Sequence, residues 1–252
     1  MNKSDVMSAL EYTIIAVVTF VVMQTLVVVM HEFTHSTVAW LLGHMRSPFD
    51  IIWGNPLTLK GWDEGVHYRE LVRSGHLVAE ALIGVSPLVV HTIIVTLAFV
   101  LMGKGMPGNR WLFHCLYWFV IANFMELVAY IVMFSFSAHG DTGHFTHGLG
   151  VSPWVLFIVG TTAIVFGSYI LFRKIISRMY ALFARGNQAL EGSIVIMSAF
   201  FLFLWGSGLR VAVNIYPDPQ WMFGLLGLIA FGLVIIATDP GRAWMIRHKE
   251  MK

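Results

Sequence analysis

Six predominantly apolar stretches alternate with shorter polar connections along this chain, at roughly 9–43, 77–102, 111–136, 152–172, 190–213 and 220–238. Each reaches or exceeds the 20 or so apolar residues that a membrane-crossing helix needs, the first by enough to tilt or extend past the bilayer. Met102-Gly103-Lys104-Gly105 ends the second and Asp239-Pro240-Gly241 stops the sixth, while Ser152-Pro153 opens the fourth as an N-cap and first-turn pair. The pattern predicts an all-α polytopic membrane protein with about six transmembrane helices. It reads as a single membrane domain over 1–252, with a core of about 9–150 and additional helices over about 152–238.

Two connections depart from a plain loop. Between the first two apolar stretches, Phe49, Ile51, Trp53, Leu57 and Leu59 fall on alternate positions around Gly54-Asn55-Pro56. That alternation predicts a short β-hairpin; an ordinary polar loop with scattered apolar residues fits equally. The stretch 173–189 carries Arg173, Lys174, Arg178 and Arg185 among Tyr180, Leu182 and Phe183, the composition of a cytoplasmic helix end or an interfacial helix.

Composition supports the membrane reading. The 252 residues are 57% hydrophobic and 12% charged, with a mean hydropathy of +0.74, against about 25% charged in an ordinary soluble domain. A formal net charge of +2 gives no argument for nucleic acid. The lone Cys115 excludes an intramolecular disulfide and a Cys-rich zinc site, and reads as a packed thiol. The first apolar stretch exceeds a signal-peptide core and has no small-x-small cleavage site, so it is expected to stay in the protein. With six spans, 11 of the Lys and Arg residues fall on one side and 5, including Arg46, Lys60, Arg69, Arg73 and Arg210, on the other. The positive-inside bias then predicts cytoplasmic termini.

The chemistry sits at the end of the first apolar stretch, in His31-Glu32-Phe33-Thr34-His35. On a helix, residues four apart share a face, so both imidazoles can meet one ion. Glu32 lies about 100° round and can reach a water on that ion, the arrangement of metal-assisted hydrolysis. Catalytic zinc usually takes a third protein ligand. Ser137-Ala138-His139-Gly140-Asp141-Thr142-Gly143-His144-Phe145-Thr146-His147 is the richest source of one. Asp141 is the leading candidate, with His139, His144 and His147 as alternative ligands or as groups that orient the site. Glu126 in the third stretch is another potential ligand, and Asn123 beside it a potential substrate contact; both also suit a polar pair facing the bundle interior. Glu80 and His91 read as structural.

These motifs resemble those of the site-2-protease-type intramembrane metalloproteases. That family carries H-E-x-x-H on one transmembrane helix and an Asp, typically in Leu-Asp-Gly, two spans later. The resemblance covers roughly residues 15–150, and Gly84-Val85-Ser86-Pro87 is a looser version of the family's Gly-Pro element. It implies Zn2+ held by His31, His35 and Asp141, Glu32 as general base, and a transmembrane protein substrate within the lipid bilayer. The chain departs from the family where Gly140 precedes and Thr142 follows Asp141. A di-iron desaturase or hydroxylase remains an alternative, because His31, His35, His139, His144 and His147 could share one side. A non-catalytic metal-binding membrane subunit is another.

Overall fold

The computed structural model describes residues 3–55, 61–104, 109–208 and 221–238. Helix α1 (Lys3–Leu41) is unbroken over 39 residues. That length corresponds to about 58 Å, nearly twice the roughly 30 Å of a hydrocarbon core, so α1 tilts or projects beyond it. A connection then leads through the short α2 (Tyr68–Arg73) to α3 (Leu77–Lys104). Helix α4 (Arg110–Leu127) runs on as a wider π-type segment, Val128–Met133. After a tight turn comes α5 (Asp141–Leu149). Helix α6 (Pro153–Ile170) continues through wider turns to Ala184, and α7 (Gln188–Ala199) continues as a π-type segment, Phe200–Gly208. The last described element is α8 (Trp221–Ala237).

Among the described residues, five helices are long and apolar enough to cross a membrane: Lys3–Leu41, Leu77–Lys104, Arg110–Met133, Pro153–Ala184 and Gln188–Trp205. This is the build of an integral membrane protein. The sixth expected span corresponds to α8, a shorter apolar helix of 17 residues. The basic stretch begins as the continuation of α6, with Arg178 donating to the carbonyls of Met102 and Gly103 at the end of α3. No hairpin is seen: among the described residues there is no strand, only an antiparallel bridge between Ile52 and Asp63, and Leu57 and Leu59 lie outside them.

Helix α4 is the centre of the bundle, with 72% of its apolar window buried against 22% for α1 and 17% for α6. Its start is set by Asn109, whose side chain accepts from the backbone N–H groups of Trp111 and Leu112. Phe20 of α1 stacks on Phe201 of α7 at 3.6 Å, edge-on to Trp118 of α4. Outward faces are apolar, as at Val18 and Val22 on α1, Leu97 on α3 and Phe166 on α6. The buried stripe of α1 instead mixes Ala16, Phe20 and Val27 with Gln24, His31 and His35. In water that arrangement would be inverted; in hydrocarbon, ionisable side chains face the bundle interior, where partners are available.

Candidate metal centre

His31 and His35, one turn apart on α1, are 4% and 1% exposed. Their Nε2 atoms lie 3.2 Å apart. Asp141 Oδ2 completes a triangle, 3.0 Å from His31 Nε2 and 3.3 Å from His35 Nε2. A tetrahedral zinc with bonds of about 2.0 Å has ligand–ligand edges of about 3.3 Å, so this donor set fits. Among the described residues it is the one group of three or more His, Cys, Asp or Glu whose ligand atoms converge closely enough to hold an ion.

The hydrogen bonds behind the triangle fit one assignment of protons. Asn123, fully buried on α4, donates its Nδ2–H to Phe119 O, so its Oδ1 accepts from His91 Nδ1 at 2.8 Å. His91 Nε2 then accepts from His31 Nδ1 at 3.1 Å, leaving a lone pair on His31 Nε2. His35 Nδ1 donates to Ile83 O at 2.8 Å, leaving a lone pair on its Nε2. Asp141 Oδ2 is buried, and no donor hydrogen answers it. Three lone-pair-bearing atoms face one another away from water, which is costly unless a cation stands between them. A proton could bridge two of them, whereas an ion answers all three.

The Ile83 carbonyl has a sequence-level cause. Proline has no N–H, so Pro87 within α3 cannot donate to the carbonyl four residues back, which is that of Ile83. His35 and the Ser86 hydroxyl, at 2.8 Å, use the oxygen thus released. Gly84, one residue on, lets α5 approach: a Cβ there would lie 2.8 Å from the Asp141 carbonyl oxygen and 2.9 Å from His144 Cβ.

Asp141 is the first residue of α5. Gly140 before it has φ 80° and ψ 179°, a conformation essentially restricted to glycine, which turns the chain abruptly into the helix. A carboxylate at a helix N-terminus also gains from the helix dipole.

Glu32 is half-buried beside the triangle and interacts electrostatically with His31, Glu64, His35 and Asp141. The other expected residues do not join the triangle. His139 is exposed before α5. His144 and His147 each place Nδ1 2.8 Å from one oxygen of Glu80, itself 2% exposed, and so pin α5 to α3. Glu126 accepts from Gln24 Nε2 at 2.6 Å. Asn123 lies behind the site, as the end of the His31–His91 chain. Tyr130 stacks on His31 with 5.1 Å between ring centroids.

The sequence reading took His91 and Glu80 as structural and did not single out Tyr68 or Glu64. A signal for the first two was present: Glu80, Gly84, Pro87 and His91 recur at spacings of four, three and four, one face of a helix. Tyr68 stacks on His144 with ring centroids 3.7 Å apart and planes 7° off parallel, and its hydroxyl lies 3.4 Å from His35 Nδ1. Burial and the neighbouring carboxylates of Glu64, Asp141 and Glu32 push its pKa well above the ordinary phenol value.

No family model, curated protein or solved structure matches this chain.

Proposed function

We propose that this protein is an intramembrane zinc metalloprotease that hydrolyses peptide bonds of transmembrane-helix substrates. The observation that carries the reading is the buried triangle of three lone-pair donors at a long apolar helix, with Glu32 next to it on the same turn. His31, His35 and Asp141 would hold the zinc. When bound, zinc supplies Lewis acidity, which lowers the pKa of a water toward 7 and polarises a carbonyl.

The chain's own residues do the rest. Glu32 takes the proton of the attacking water on a carboxylate oxygen and returns it to the leaving amine nitrogen. Asn123 and His91 keep His31 in the tautomer that presents Nε2, and Ile83 O does the same for His35. A substrate helix must unwind locally, because its own hydrogen bonds cover its peptide groups. The segment around Ile52 is the candidate strand that receives it. The Lys and Arg bias supports cytoplasmic termini.

The mononuclear reading is favoured over a di-iron site by the histidines themselves, since His144 and His147 turn to Glu80 and His139 is exposed. The test is metal content and cleavage of a panel of single-span helical peptides reconstituted with the full chain. One zinc per chain is expected, lost in His35→Ala and Asp141→Ala. Glu32→Gln is expected to keep zinc and lose cleavage. Cleavage by Glu32→Gln, or two irons per chain, would overturn the proposal.

A further inference from the structure

We propose that the groove between α6 and α8 seats an anionic phospholipid, with an acyl chain along the two helices and its phosphate on Arg173. The proposal is independent of the hydrolytic reading above.

One face of α6 is taken up by the bundle. Gly160 and Gly167 let it close on α4 and its π-type end: a Cβ at Gly160 would strike Ile131, and one at Gly167 would lie 2.9 Å from Phe124 Cζ. Ile164, Leu171 and Ile175 are buried along the same face, at helical spacing. The neighbouring stripe, with Val165, Ser168 and Phe172, faces α8 instead, where Leu233 and Val234 stand across a cavity of about 230 Å³. The two helices run in the same direction. They meet near their starts, Phe157 on Phe223 with ring centroids 5.7 Å apart. Toward their ends the cavity lies between them, bounded by Arg173 on the continuation of α6 and by Thr238 just past α8.

Size, charge and an unanswered hydroxyl point to the occupant. One turn of α-helix with its side chains, about 10 Å across and 5.4 Å tall, fills roughly 420 Å³. The cavity is smaller than that, so it suits a hydrocarbon chain rather than a helical segment. Arg173 is exposed, lines the cavity and makes no ion pair among the described residues. Arg178, one helical turn further on, is by contrast committed to the carbonyls of Met102 and Gly103. Ser168 Oγ is shielded from solvent without a hydrogen-bond partner. The hydroxyls of Thr162 and Ser177 on the same helix return to backbone carbonyls, the ordinary choice there. An apolar trough that ends in a guanidinium matches an amphiphile with a hydrocarbon tail and a phosphate head, since the guanidinium fork suits phosphate oxygens. This end of the bundle is the one where Lys and Arg predominate. Under the positive-inside bias it lies in the cytoplasmic leaflet, the one whose anionic lipids seat in basic pockets between transmembrane helices.

The probes are dioleoylphosphatidylglycerol and dioleoylphosphatidylcholine, titrated into the full chain in detergent and read by native mass spectrometry. Wild type is expected to bind one phosphatidylglycerol about 5-fold more tightly than phosphatidylcholine, the worth of one basic residue facing an anionic rather than a zwitterionic head. Arg173→Gln is expected to abolish that preference and Arg173→Lys to keep it. Lys174→Gln removes the same charge from a residue outside the groove lining and is expected to leave the preference in place. Ala237→Phe, at an exposed position that lines the groove, is expected to weaken binding of both lipids by filling the trough. Equal losses in Lys174→Gln and Arg173→Gln would reduce the effect to diffuse surface charge and overturn the proposal. Wild-type binding by Ala237→Phe would overturn it by placing the lipid elsewhere. Dimers of the chain that shed the lipid would overturn it too, giving the groove to a second copy.

Discussion

Gly84→Ala offers a test of the site that replaces none of its candidate ligands. The added Cβ would sit 2.8 Å from the Asp141 carbonyl oxygen and 2.9 Å from His144 Cβ, where ordinary contact begins near 3.4 Å. The first of these is backbone and cannot rotate away, so α5 must retreat by about 0.6 Å or the contact must stay compressed. Compression of this kind costs about 1–3 kcal/mol. Retreat is resisted by Glu80, which grips His144 and His147, yet it moves Asp141 with the helix. Metal–ligand bonds tolerate only about 0.2 Å, so either response weakens zinc binding. The expected loss is about 10–100-fold in zinc affinity, the size seen when groups supporting a ligand are disturbed. Competition titration against a chromophoric chelator measures it, with circular dichroism to confirm the helical fold. Gly192→Ala is the control, since a Cβ there meets nothing within 4 Å. A folded Gly84→Ala protein with wild-type zinc affinity would refute the view that α3–α5 contact sets the position of Asp141.

Two further predictions follow from the hydrogen bonds behind the ligands. His91→Phe leaves His31 Nδ1 without its acceptor, and zinc affinity is expected to fall about 10–100-fold with the Glu32-dependent chemistry otherwise intact; unchanged affinity in the same chelator titration would show that His31 needs no orienting partner. Pro87→Ala adds a backbone N–H competing for the Ile83 carbonyl, whose two lone pairs already serve His35 and Ser86. Zinc binding should weaken about 10-fold, and Ser86→Ala in the same chain should restore much of it; strictly additive losses would sink that account.

The apolar stretches made the bundle legible, because hydrocarbon thickness fixes how long a spanning helix must be. The end of α6 was less so: Arg173 and Lys174 interrupt the apolar run, yet the helix continues because its backbone hydrogen bonds do not depend on side-chain polarity. His31, Glu32 and His35 were legible from local spacing. Asp141 was readable only as one of several candidates, because nothing in the local sequence says that His144 and His147 turn to Glu80 rather than to α1. That choice is made by packing between α3 and α5, a contact between residues some 60 positions apart. Tyr68 and Glu64 were invisible for the same reason, since a hydrophobic pattern carries no record of which connection folds over which helix.

The acceptor for His35 belongs to the backbone, and this bears on how the site tolerates change. Every amino acid brings the same carbonyl to position 83, so substitutions there alter packing but leave the acceptor in kind. Control rests four residues along, at position 87, where replacing proline restores a donor of the main chain. The orientation of one candidate ligand is thus written at a position that touches neither the ion nor the imidazole. A survey of tolerated substitutions should find 83 permissive among apolar residues of similar volume and 87 restrictive, the reverse of what distance from the site alone would suggest.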